Sequence, residues 1–212
     1  MFRRRPFRRP PLFRRRPPPP PGALPHRPPV PPGVRQALAR ANRLMADGQF
    51  AEAANIFERL SEEAGQRGML VRAANLALQA SRAHFAADDV ETALERAKEA
   101  LRLLVRGGRV ERVPRVLSRI IKALREKGYD AEADQLEREV AQTLGEVGLS
   151  LDEVKQRVPQ VTEKRGILRP GSGQALPARC GGCGAPLIPD EVEWHNAHTA
   201  ECPYCGTIAK AT

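Results

Sequence analysis

Apolar residues recur three and four apart along the middle of this chain. Leu38, Ala41, Leu44 and Met45 follow that spacing, and so do Ala53, Ile56, Phe57 and Leu60. Such spacing gathers side chains into one stripe on an α-helix, because 3.6 residues complete a turn. The pattern predicts three helical hairpins, pairing residues 34–47 with 50–64, 71–87 with 90–105, and 114–127 with 131–146. Gly48-Gln49 turns the first, Gly65 and Gly68 end it, and Gly107-Gly108 ends the second. Pro114 suits a helix start, where no amide hydrogen bond is lost. Three markers fix the register: Gly48 to Ala53, Asp88 to Ala93 and Gly128 to Ala133 begin forty residues apart. A period of this size marks stacked supersecondary units, none able to bury its apolar face alone.

The marker Gly48-Gln49-Phe50-Ala51-Glu52-Ala53 reads Gly-x-aromatic-x-x-Ala between two amphipathic helices. In this it resembles the tetratricopeptide repeat, over residues 34–148. Two departures stand out. The period is forty instead of about thirty-four, and Tyr129 falls one residue early. The expectation is that the extra residues sit in the glycine-rich turns between repeats. Ser150-Leu151-Asp152-Glu153 forms a capping box for a short helix to Val158 that closes the open end of the array. The fold class is therefore an all-α, tetratricopeptide-like hairpin array over residues 34–158; a generic array of helical hairpins is the alternative.

Charge divides the hairpins. Over residues 34–46, 71–87 and 114–125 the first helices carry nine basic residues and no acid, whereas over residues 51–64, 89–105 and 130–146 the second helices carry fourteen acids against five bases. The resemblance implies that first helices line a concave groove and second helices form its back. Arg35, Asn75 and Arg115 then make one polar row, and Asn42, Arg82 and Lys122 a second, with Arg119 beside them. These seven residues are the candidate seat for an acidic partner segment. The competing reading is that opposite charges on paired helices serve packing and solubility alone.

Composition alters the picture mainly at the N-terminus. The net charge of +10 is concentrated there: residues 1–33 hold nine arginines, no acid and thirteen of the twenty prolines. Such a segment has too little apolar surface to fold, so residues 1–33 are expected to be a disordered tail. Its clusters Arg3-Arg4-Arg5, Arg8-Arg9 and Arg14-Arg15-Arg16 alternate with phenylalanines and are candidates for binding a polyanion, either nucleic acid or an anionic membrane surface. A solvated tail with no dedicated partner is the other reading. No eighteen-residue apolar run is present, and prolines follow the first arginines where a signal peptide would be apolar. A cytoplasmic protein is expected, with attachment at a membrane surface as a variant.

Residues 159–178 read as a linker. Beyond it, Cys180-Gly181-Gly182-Cys183 and Cys202-Pro203-Tyr204-Cys205 stand eighteen residues apart. Paired Cys-x-x-Cys knuckles at this distance have the arithmetic of one four-thiolate zinc site. Residues 179–212 thus resemble a zinc ribbon, with one half-buried strand near Val192 and Trp194, and His195 and His198 left as surface groups. Cys-Pro-Tyr-Cys is also a glutaredoxin-type motif, but too little chain follows it for that fold. Four sulfurs close the coordination shell, so one Zn²⁺ ion would be structural. A unit this small needs metal to fold, on the order of 10 kcal/mol for such sites. With a linker between the cores, the helices are expected to survive chelation.

The sequence contains no nucleophile–base constellation, phosphate-binding loop or metalloprotease motif. His84 aligns with Leu44 and Leu124 at a helix-packing position. The expectation is a non-enzymatic interaction adaptor or scaffold without a small-molecule substrate. The alternatives are a nucleic-acid-associated protein gripping phosphates with tail and ribbon, or a membrane-surface adaptor. The ribbon argues against the first, having two basic residues against four acids.

Overall fold

The computed structural model describes residues 30–156, 175–189, 191–196 and 198–211. The arginine clusters of the tail and most of the linker lie outside the described residues. Six helices form the array: α1 (Pro32–Ala46), α2 (Phe50–Gln66), α3 (Leu70–Ala86), α4 (Val90–Arg106), α5 (Val113–Glu126) and α6 (Asp130–Gly145). A 3-10 turn at Val110–Arg112 leads into α5, and residues 151–156 are helical again. Helix α1 begins two residues before the expected tail boundary, with proline in its first turn and Val30 buried just ahead of it.

The turns explain the period. Gly48, Gly68, Asp88, Gly108, Gly128 and Gly148 all adopt positive φ. At each, the amide one residue later bonds the carbonyl five residues back, from Gln49 N–H to Leu44 O through Leu149 N–H to Leu144 O. This is the Schellman stop, which needs a left-handed residue just past the helix. Aspartate tolerates that conformation better than most side chains. One stop thus recurs every twenty residues. The expectation that extra residues occupy the inter-repeat turns fails: α2, α3 and α4 are seventeen residues each, joined by three-residue turns. The lengthening is in the helices.

Alanine at the contacts lets these helices approach closely, since a methyl group holds backbones least far apart. Ala53, Ala54, Ala73, Ala74, Ala80 and Ala97 are all essentially inaccessible. Hydroxyls stitch successive helices together, between hairpins where Ser61 donates to Ala73 O at 2.9 Å and within one where Ser81 donates to Ala93 O at 2.7 Å. The capping box forms as the sequence predicts, Ser150 N–H meeting Glu153 at 2.8 Å and Glu153 N–H meeting Ser150 Oγ at 3.2 Å. It places Val154 with Leu136 and Leu144 in the second of two apolar clusters.

The C-terminal unit is a three-stranded antiparallel sheet, β1 (Glu193–Asn196), β2 (Thr199–Glu201) and β3 (Ile208–Lys210), in that spatial order. The expected strand is β1; β2 and β3 are too short to register as sequence patterns. The unit does not stand apart. Cys180, Cys183, Leu187, Tyr204 and Ala209 belong to the same buried cluster as Leu38, Phe57 and Leu76 from α1, α2 and α3. Separate cores joined by a linker were the expectation, and the structure replaces them with a shared one.

Candidate metal centre and its seat in the helical groove

Each knuckle begins at a cysteine whose backbone is bonded across a tight turn. Cys180 O accepts from Gly184 N–H at 2.8 Å, and Cys202 O accepts from Gly206 N–H at 3.0 Å. Gly184 and Gly206 both sit at φ +72°, a region closed to most side chains. The knuckles press against one another at Gly182, where a Cβ would lie 2.2 Å from Thr207 Oγ1. No side chain fits there.

This packing brings the four sulfurs within 4.8 Å of one another, all buried. Cys180 Sγ lies 3.6 Å from Cys205 Sγ, and Cys183 Sγ 3.8 Å from Cys202 Sγ. A tetrahedral ion with metal–sulfur bonds of about 2.3 Å would set its ligands about 3.8 Å apart. A disulfide needs sulfurs about 2 Å apart, and all four cysteines are free. The cluster is therefore compatible with one structural metal ion. Four such groups cannot all ionise without a cation. Hydrogen bonds from the other cysteines draw Cys180 far down, while hydrogen bonding to Cys180 pushes Cys183 and Cys202 up.

The expected groove residues fall into two groups. Asn42 on α1 and Asn75 on α3 are 5% and 4% exposed, and each addresses one knuckle. Asn42 Nδ2 donates to Cys183 O at 3.0 Å and Asn75 Nδ2 to Pro203 O at 3.1 Å. Further along the same face of α3, Gln79 donates to the Tyr204 hydroxyl, and Arg82 meets Glu191 Oε1 at 2.8 Å. Arg119 of α5 pairs with that same carboxylate, whose side chain is only 8% exposed. Burial acts to lower the Arg82 guanidinium, but Glu191 and Tyr204 outweigh it and hold it above its ordinary value. Burial also pushes the Tyr204 phenol up. Arg35 is exposed at the start of α1, Arg115 is half-buried on α5, and Lys122 is 78% exposed beside Glu126 of its own helix, 3.7 Å away.

Gln79, Arg112 and Tyr204 escaped the sequence reading. Arg112 donates to Asn75 Oδ1 at 3.1 Å, and its burial lowers its pKa. The α3 stripe was readable in hindsight, since Arg72, Asn75, Gln79 and Arg82 fall three, four and three apart. Pairing that stripe with Pro203 and Glu191, more than a hundred residues away, was not. One histidine assignment changes. His84 is half-buried, in keeping with a helix-packing position, and bridges carboxylates, with Nδ1 3.1 Å from Asp89 and Nε2 3.1 Å from Glu58. His195 is half-buried, 3.3 Å from Glu201, instead of a free surface group; His198 is exposed, as expected.

Beside Glu191 the ribbon leaves part of the groove open. A cavity of about 160 Å³ lies among α3, α4 and α5, lined by Leu78, Phe85, Leu94, Val116 and Ile120, with Arg82 and Arg119 alongside. Among the described residues no helix is long and apolar enough to cross a membrane.

The fold and site define a helical-repeat array carrying a four-cysteine, metal-compatible centre docked on α1, α3 and α5. No protein-family model, curated protein or solved structure matches the chain.

Proposed function

We propose that this chain is a non-enzymatic adaptor. Its tetratricopeptide-like groove takes an acidic protein segment, and its ribbon is a zinc ribbon holding one structural Zn²⁺ through Cys180, Cys183, Cys202 and Cys205. The observation that carries the reading is Glu191, a nearly buried carboxylate placed between Arg82 and Arg119. The chain's own acid occupies the groove in the manner expected of a partner's. α1, α3 and α5 otherwise present almost no acid to repel such a segment; Glu126, at the last position of α5, is the exception. The apolar cavity beside the arginines suits a large aliphatic or aromatic side chain next to the acid. Zinc is favoured over other ions because four thiolates at tetrahedral spacing match its preferred ligand set.

The test is affinity capture with the full chain and with an Arg82→Glu/Arg119→Glu variant, followed by crosslink mapping. Partners should contact α3 and α5 through acidic segments and be lost with the variant. Partners kept by the variant, or crosslinked only to α2, α4 and α6, refute the reading.

A further inference from the structure

We propose that the ribbon is a metal-held plug over the groove's acid-binding side chains, so that metal occupancy governs the groove's availability to an acidic partner segment. The inference rests on the groove reading above. Its observation is where the groove asparagines point. Both Asn42 and Asn75 donate to carbonyls lying inside the two Cys-x-x-Cys knuckles, Cys183 O and Pro203 O. Those carbonyls hold their positions only while the knuckles are wound about their sulfurs.

A ribbon of this size has too small a core to stay folded alone, so the metal supplies the order. Loss of the ion unwinds the knuckles and removes both acceptors together. The Tyr204 hydroxyl, which donates to Glu191 Oε2 at 3.5 Å from within the second knuckle, goes with them. Glu191 then keeps Arg82 and Arg119, two side chains more than a third exposed, where an ion pair is weak. Ribbon and helices belong to one chain, so docking is intramolecular and works against any free competitor at high effective concentration. A partner's apparent affinity falls by the fraction of molecules with an open groove. A ribbon seated nine-tenths of the time weakens an acidic ligand about tenfold. The same Arg82 nitrogen cannot serve both occupants fully, which makes the two states exclusive and not additive.

Two readouts on the full chain test this, one with a ligand and one without. The ligand probe is a fluorescein-labelled hexaglutamate peptide followed by anisotropy. The other is phenylglyoxal modification of Arg82, mapped by mass spectrometry. Both are run on zinc-loaded protein, on protein stripped with a chelator later dialysed away, and on zinc-loaded Glu191→Lys. Arg82 should label at least threefold faster after stripping, and the peptide should bind at least tenfold tighter. Glu191→Lys should raise Arg82 labelling while the zinc stays bound, which keeps the test informative if stripping also melts helices. Equal Arg82 labelling in all three samples overturns the plug, whatever the peptide does. Faster labelling without peptide binding in any sample upholds the plug and overturns the acidic-segment reading instead.

Discussion

Replacing Asn75 by alanine tests whether the helices and the ribbon form one cooperative body. Asn75 is 4% exposed and works in two directions. It donates to Pro203 O in the second knuckle at 3.1 Å and accepts from the Arg112 guanidinium at 3.1 Å. A neutral hydrogen bond contributes about 1 kcal/mol and one to a charged group about 1.5–3 kcal/mol. Arg112 retains some access to solvent, so the lower part of that range applies. Alanine also returns about 0.5 kcal/mol as the better helix former. The net loss should be about 2 kcal/mol with metal bound. Without metal the knuckle carbonyl is no longer held in place, so the first contribution disappears and the loss should shrink by about 1 kcal/mol. Urea unfolding followed by circular dichroism at 222 nm, in zinc and after chelation, measures both numbers. An Asn75→Ala loss that is the same with and without zinc would mean that the asparagine serves only Arg112. A loss below about 0.5 kcal/mol with zinc bound would refute the docked arrangement.

The shared core makes chelation felt in the helices. Calorimetry should give a lower melting temperature for the helical transition when metal is withdrawn, and an unchanged transition would restore the picture of separate cores. Gly182→Ala should lower metal affinity at least tenfold in a competition titration against a chromophoric chelator, because its Cβ would fall 2.2 Å from Thr207 Oγ1; unaltered affinity would show that the knuckles can move apart. At the first turn, Gly48→Ala should destabilise by about 1 kcal/mol from its left-handed backbone alone, since nothing lies within 4 Å of the added methyl. Gly48→Asp should cost less, as Asp88 occupies the equivalent stop. The reverse order in urea midpoints would contradict the Schellman account of the period.

The sequence by itself determined the local features. Helix periodicity, left-handed stops, the capping box and the pairing of Cys-x-x-Cys knuckles all depend on residues within a turn or a knuckle of one another, where spacing dictates geometry. That is why the six helices lie within about two residues of their expected bounds and why the four cysteines could be grouped. Tertiary structure decided where the ribbon rests. Asn42 and Arg82 were readable as inward-facing polar positions, but a periodic pattern states only which side a residue faces and not what meets it. Tyr204 carried no signal beyond its place inside a knuckle, and Glu191 stood out only as one acid among four. Each gains its role from a surface assembled by α1, α3 and α5, all far earlier in the chain. Burial of Asn42, Asn75 and Gln79 without partners would be costly; Leu38 O and Arg112 meet part of that need from the helical array, and the knuckle carbonyls and the Tyr204 hydroxyl, brought there by the whole fold, meet the rest.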